Sequence, residues 1–192
     1  MATKFEVGTW TGNGSATQTI SLADSSLTPI ALIAWSVSQG ATPAAGSFAA
    51  NRIMSIGFGT RRGGSTQSGC IGLWSQDNVA TGSTSRIRDE ANTNRGLLSI
   101  LSAETTVDYT VSLNSFAAGQ FVVGYSSAAN AQNDVFHYVV FGGDDLTDAI
   151  VINETMDGTT TQAITGAGFQ PDVLFALDAD LTTSNTATSN LA

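Results

Sequence analysis

The fold is decided by a stretch that the chain contains twice, TQTISLADSSLTPIALIAW at residues 17–35 and TQAITGAGFQPDVLFAL at residues 161–177. Both copies follow one plan: a Thr-Gln-x-Ile strand, a turn, an apolar residue two positions before a proline, and a continuous apolar strand. Internal similarity of this kind indicates a repeated architecture. It predicts a β domain at residues 1–148, with residues 149–192 forming either a partial second β repeat or an assembly arm.

The rest of the sequence favours strands throughout. Only 12% of the 192 residues are charged, and 20 are glycine, which is typical of a β-rich, turn-rich protein. Apolar runs and polar–apolar alternation predict strands at 4–10, 17–22, 29–37, 53–59, 70–74, 97–101, 106–116, 120–126 and 135–141. Loops without helical periodicity separate them, which predicts an all-β, antiparallel β-sandwich of jelly-roll type. A closed barrel is the alternative.

Local patterns add detail to these strands. In the first strand, Phe5 and Val7 share one face, and the apolar run of 29–37 predicts burial on both faces. The Gly-Asn turn at 11–15 predicts a hairpin or a tight corner. Alternation in 106–116 fails at Phe116, so we expect a bulge near Ser115 that restores the register.

Charge and chain termini restrict the partners and the location. A formal net charge of −9, from 16 acidic and 7 basic residues, disfavours nucleic acid and anionic membrane as partners. The amino terminus lacks the basic start and apolar run of a signal peptide, and no apolar run has the roughly 18 residues of a membrane span. We therefore expect a soluble protein made in the cytoplasm.

The sequence offers little for catalysis, and we predict no enzyme, no cofactor and no metal. Cys70 and His137 are single residues of their kinds, and no nucleophile elbow accompanies them. Cys70 is expected in the core, and His137 on a strand face opposite Phe136 and Tyr138. The acidic pairs at 144–145 and 178–180 lack the spacing of a calcium loop and are typical of turns.

Several residues are instead candidates for an interface or a ligand. Arg61 and Arg62 precede Gly63-Gly64, which predicts a solvated, flexible loop, with salt bridges between subunits as the alternative. Trp10 is expected at an exposed position, whereas Trp35 is expected in the core. Trp74, Asp77 and Asn78 are candidates for binding a sugar. Val173, Phe175 and Leu177 form an apolar face that we expect to be covered by another part of the protein or by a neighbouring subunit.

A resemblance bears on function. The segments that carry it are FEVGTWTGNG at 5–14, TQTI at 17–20, PIALIAW at 29–35, MSIGFG at 54–59, VVFGG at 139–143 and GFQPDV at 168–173. Together they resemble virion proteins of tailed bacteriophages, of the structural, decoration or tail-fibre type. The resemblance implies a β-sandwich component of the virion without catalysis, made in the host cytoplasm.

The resulting prediction is a phage capsid decoration or tail protein that works through multivalent docking. Its partners would be identical copies and other virion proteins, with a host glycan as a further possibility. Two alternatives stay open. One is a carbohydrate- or receptor-binding module of a tail fibre, and the other is a subunit of a self-assembling surface filament.

Overall fold

The computed structural model describes residues 4–38, 51–76, 85–89, 96–103, 106–152, 154, 161–177 and 187–189. These residues contain strands and no helix. The strands are, in chain order, β1 (Lys4–Thr11), β2 (Thr17–Ser21), β3 (Pro29–Ser38), β4 (Asn51–Arg62), β5 (Ser65–Gln76), β6 (Ser85–Asp89), β7 (Leu98–Ala103), β8 (Thr106–Ala117), β9 (Gln120–Tyr125), β10 (Val135–Gly142) and β11 (Ala187–Ser189). The prediction of an all-β fold is confirmed.

Two antiparallel sheets contain all of these strands. One sheet has seven strands in the order β1-β10-β3-β4-β5-β6-β11, and the other has four in the order β2-β9-β8-β7. Buried side chains of both sheets belong to one core cluster, so the architecture is sandwich-like. The turn after β1 is a corner that leads from the larger sheet to the smaller one, with Gly14 at a φ of 77°.

Aromatic rings fill the centre of the core. The Trp10 ring stacks on Phe136 at a centroid distance of 4.8 Å and meets the edge of Phe121 at 5.6 Å. Phe121 in turn meets Tyr138 edge to face at 5.1 Å. Burial of such a side chain stabilises a fold by about 1.5–3 kcal/mol, so this cluster is a main link between the sheets.

The two sheets approach most closely where glycines replace larger side chains. A Cβ on Gly57 would lie 2.0 Å from the Leu97 carbonyl oxygen, and one on Gly72 would lie 2.6 Å from that of Ser99. Between them, Ser55 Oγ accepts a hydrogen bond from the Ser99 amide (3.0 Å) and donates one to the Ile71 carbonyl (3.1 Å). A buried hydroxyl with both partners satisfied therefore joins the sheets at this approach.

The bulge expected in the long eighth strand is confirmed. Leu113 pairs with Val123 and Ser115 with Val122, so the register between β8 and β9 shifts between Leu113 and Ser115. The extra residue returns Phe116 to the core, where it is buried.

The basic loop expected around Arg61 and Arg62 is instead the tight end of a hairpin. Strands β4 and β5 pair up to Arg62 and Ser65, which leaves only Gly63 and Gly64 between them. Both glycines have positive φ, 57° and 87°, and a two-residue turn with this backbone matches the twist of the flanking strands. The prediction of a loop was wrong for Arg61 and Arg62, which are strand residues, whereas the turn of Gly63 and Gly64 is exposed to solvent as predicted.

Residues 161–177, the second copy of the repeated stretch, contain no strand in the structure. In the first copy, the corresponding residues form β2 and β3. Within residues 149–192, predicted as a partial repeat or an assembly arm, Ala187–Ser189 pairs with β6 in the seven-stranded sheet. The domain boundary at residue 148 stays a prediction.

Candidate functional site

Over four of its strands, the outer face of the seven-stranded sheet, the side away from the core, is largely apolar. Its central rows follow from the strand register, in which Phe5 pairs with Phe141, Val7 with Val139, Val139 with Ile33, and Ile33 with Phe58. We define the outer face by its described side chains on four strands: Phe5, Val7, Thr9 and Thr11 of β1, Val135, His137, Val139 and Phe141 of β10, Ala31, Ile33, Trp35 and Val37 of β3, and Met54, Ile56, Phe58 and Thr60 of β4.

The exposure of this face is greatest on the edge strand. Phe5 is 69% exposed and Val7 is 62% exposed, whereas the alternate residue Trp10 is 5% exposed. Among the described strands, β1 pairs only with β10, so it is the edge strand of the sheet. Because Phe5 and Val7 are apolar, the alternation in β1 suggests that they face the core. In the structure they face solvent instead.

Polar contacts on the inner side hold β1 in this orientation. The Glu6 carboxylate accepts hydrogen bonds from the amides of Ala23 (2.9 Å) and Asp24 (3.0 Å) and from the Tyr138 hydroxyl (3.2 Å). Lys4 forms an ion pair with Asp24 at 2.8 Å. The hydrogen bond from Lys4 is the largest cause that holds the pKa of Asp24 well below its usual range. These contacts fix the edge strand with Phe5 and Val7 outward.

Trp10 lies in the core and Trp35 on the outer face, which is the reverse of what the sequence predicted. Trp10 is a core residue, and its indole N–H donates to the Tyr125 hydroxyl at 2.9 Å, which donates to Gln18 Oε1 at 2.9 Å. Trp35 lies half-buried on the outer face. The expectations were wrong because even-numbered residues of β1 and β3 face the core, which places Trp10 inside and Trp35 outside.

The single histidine stacks on Trp35. The rings of His137 and Trp35 are 5.5 Å apart and nearly parallel, at 10°, on paired residues of β10 and β3. As predicted, His137 lies on the face opposite Phe136 and Tyr138. Cys70 is buried on the inner side of the same sheet, next to the position of a Gly57 Cβ. His137 and Cys70 therefore cannot act together as base and nucleophile.

Arg62 makes several of the described contacts between the sheet and the strap, which we define as residues 161–177. Arg62 Nη1 donates to the Ala167 carbonyl at 2.6 Å, and its guanidinium lies 5.5 Å from the centroid of the Phe169 ring. Arg62 Nε also forms an ion pair with Asp148 at 3.2 Å. Gly168, at a φ of 72°, lies so close to Arg62 that a Cβ would be 3.0 Å from Nη2. The arginine thus binds within its own chain.

The predicted apolar face of Val173, Phe175 and Leu177 is covered only in part. The Phe175 ring lies 6.0 Å from Phe141 and 6.4 Å from Phe58, which places it over the outer face. Val173 nevertheless stays 69% exposed, Leu174 75%, and Leu177 is exposed as well. Phe175 itself is 55% exposed, more than Leu177 at 37%, so the strap and the outer face cover each other only in part.

The remaining candidates do not form a common site. Trp74 is 4% exposed, so no sugar ring can stack on it, and its indole N–H has no hydrogen-bond partner among the described residues. Asp77 and Asn78 lie outside the described residues. Arg61 is exposed and donates to the Phe116 carbonyl at 3.0 Å. The carbohydrate-binding alternative thereby loses its stacking ring.

All three tyrosines have a raised pKa. Burial is the largest cause for each of them. Tyr109 also donates a short, buried hydrogen bond to Asp134, and Tyr138 lies beside Glu6, where its pKa rises to about 12. These phenols serve as hydrogen-bond donors in the structure and stay protonated near neutral pH.

Comparison with known proteins identifies no relative. No family model matches the chain, and no curated protein and no solved structure matches it. Among the described residues, no cluster of three or more His, Cys, Asp or Glu side chains could hold a metal ion. Nor do the described residues include a helix with the length and apolar character needed to cross a membrane.

Proposed function

We propose that this chain is a non-catalytic structural protein of a tailed-phage virion, a capsid decoration or tail component, that acts by multivalent self-assembly and docking on the particle. The observation that carries the proposal is the outer face of the seven-stranded sheet, with Phe5 and Val7 mostly exposed at its edge. Exposed apolar patches of this kind are typical of interaction sites. The resemblance of segments such as 29–35 and 168–173 to phage virion proteins supports a virion as the particle.

The chemistry of the described residues agrees with a structural role. The single histidine stacks on Trp35, and the single cysteine lies on the other side of the sheet. Arg62, which a phosphate or a neighbouring subunit would otherwise engage, binds Asp148 and the strap of its own chain. The polar groups thus serve the fold, and the apolar face is left for association.

We further propose that the topology is a jelly-roll variant and that residues 149–192 begin a second repeat. Pairing of β1 with β10 and of β2 with β9 supports the first statement, because jelly rolls pair early strands with late ones. The topology would be a variant because β3, β4 and β5 pair in sequence order. Similarity between 17–35 and 161–177 supports the second statement.

Mass spectrometry of purified phage particles, with capsids and tails dissociated and analysed separately, tests the proposal. We expect peptides of this chain in one of the two fractions, at a copy number that matches the symmetry of that part. Absence of the chain from intact particles made by the producing host would refute the virion role.

A further inference from the structure

The outer face differs from the rest of the molecule in its charge. The chain carries a formal net charge of −9, yet none of the described outward side chains of β1, β3, β10 and residues 54–60 of β4 is an acid, a lysine or an arginine. His137 is the one ionisable group among them, and it is stacked on Trp35. Two copies that meet through this face would bring no like charges together, whereas most other approaches of two acidic chains would.

The strap shows which kind of surface this face accepts. Phe175 packs against Phe58 and Phe141, and the register continues the same rows to Phe5 and Val7. Val173 and Leu174 of the strap are 69% and 75% exposed. The outer face is therefore exposed at Phe5 and Val7. The strap, whose Phe175 packs on this face, is exposed at Val173 and Leu174.

We propose that a second copy of this chain docks on the outer face at β1, with Phe5 and Val7 at the centre of the contact and the exposed side chains of the partner strap, Val173 and Leu174, packed on them. This inference rests on the proposed function and specifies the surface through which self-assembly takes place. The contact is reciprocal, because each copy supplies both an edge strand and a strap.

The size of the face sets the strength of a single contact. Four strands spaced about 4.8 Å apart, with about seven residues each at about 3.4 Å per residue, give a face of roughly 450 Å². A standard stable interface buries about 800 Å² on each partner. One contact is therefore weak, so association should increase with protein concentration and become firm only where many contacts act together.

Sedimentation equilibrium of the full chain over a wide range of concentrations tests the inference. We expect the average molar mass to rise above that of one chain, and Val7→Asp to weaken this association at least about tenfold, because it buries an unpaired charge in the contact. Thr19→Asp is the matched control, since Thr19 is an exposed strand residue of the smaller sheet. It should associate as the wild type does. Thermal unfolding of both variants checks that they fold.

Two results would overturn the inference: a wild-type chain that stays monomeric at every concentration, or equal association of Val7→Asp and Thr19→Asp. Incorporation into particles separates this inference from the function on which it rests. If the chain is found in particles but its Val7→Asp variant associates as the wild type does, the proposed function holds and the inferred surface at β1 is wrong. If the chain associates through β1 but is absent from particles, the inferred surface holds and the virion role is wrong.

Discussion

Phe175 packs its ring against Phe141 at a centroid distance of 6.0 Å and an interplanar angle of 37°, and this contact places the strap on the outer face of the seven-stranded sheet. Phe141 pairs with Phe5, which is largely exposed. The contact therefore lies one strand away from the bare edge of the face. It links the two features from which the assembly surface is inferred.

The attachment of the strap should depend on Arg62 and not on its neighbour. Arg62→Gln removes the ion pair with Asp148 and the cation–π contact with Phe169. Because these partly exposed contacts contribute on the order of 1 kcal/mol together, we expect chymotrypsin to cleave after Phe169, Leu174 or Phe175 about fivefold faster.

Arg61→Gln is the control for this experiment, because the Arg61 side chain donates a hydrogen bond to the Phe116 carbonyl of the smaller sheet, whereas Arg62 donates to the strap. Its cleavage rate should equal that of the wild type. Equal rates for Arg62→Gln and Arg61→Gln would show that Arg62 does not hold the strap.

The close approach of the sheets should make Gly57 intolerant of any side chain. In Gly57→Ala the new Cβ would meet the Leu97 carbonyl at 2.0 Å, so the sheets must separate. We expect a loss of about 3 kcal/mol in the free energy of unfolding, measured by denaturant titration. In Gly63→Ala the Cβ meets nothing within 4 Å, and only the positive φ is strained, at a cost of about 1 kcal/mol. A smaller loss for Gly57→Ala than for Gly63→Ala would contradict the packing described.

The two tryptophans should differ sharply in their effect on stability. Trp10→Phe loses the hydrogen bond to Tyr125 and leaves a cavity beside Phe121 and Phe136, which should cost about 2–3 kcal/mol. Trp35→Phe keeps a ring on the half-exposed outer face and should cost less than about 1 kcal/mol. Denaturant unfolding of both variants measures the difference, and a reversed order would show that Trp35 is the core residue after all.

The tyrosines predict how stability changes in alkali. Their folded-state pKa values are raised above the ordinary value of 10.0, to about 12 for Tyr138. The folded state therefore binds the phenol protons more tightly than the unfolded state. The tyrosine contribution to stability is therefore constant below pH 10.0 and is lost as the pH rises from 10.0 towards 12, where unfolded chains lose these protons first.

Near-ultraviolet absorbance of phenolate, followed together with circular dichroism, checks this prediction. We expect phenolate to form late and together with unfolding. Tyr138→Phe should flatten the loss of stability between pH 10.0 and 12. Phenolate that forms near pH 10.0 in the folded protein would contradict the burial of these side chains.

Much of the fold could be predicted from periodicity alone. Each of the nine predicted strands coincides with an observed strand, and the bulge near Ser115 follows from the single break in alternation at Phe116. These features depend on local sequence. The burial predicted for both faces of residues 29–37 holds for Leu32 and Ala34, whereas Ile33 and Trp35 are only half-buried.

The site was harder to predict because it depends on which face of each strand meets the core. Phe5 and Val7 are more apolar than Glu6 and Gly8, yet they face solvent, since the phase of β1 is set by Trp10 and by the bonds of Glu6 to the 23–24 backbone. One signal was present in the sequence: residues 135–141 are apolar on both faces. In a two-layer fold, such a strand presents one apolar face outward.

Residues 161–177 illustrate the opposite case, in which similar sequence adopts different structure. Residues 17–21 and 29–38 are strands because β9, β10 and β4 pair with them. The second copy has the same apolar pattern, but no described strand pairs with it, and its contacts with the sheet include those of Arg62 and Phe175. A strand needs its partners as much as its own sequence.

The most direct test of self-assembly through the outer face is a photo-cross-link from Phe5. Replacing Phe5 by benzoylphenylalanine keeps an aromatic side chain at an exposed position of β1. Illumination of the associated protein should give cross-linked dimers, whose joined peptides pair residues 4–11 with residues 161–177 or with β1 or β10 of the other copy. Illuminated protein that remains a single chain, or cross-links that lead only to the smaller sheet, would contradict assembly through this face.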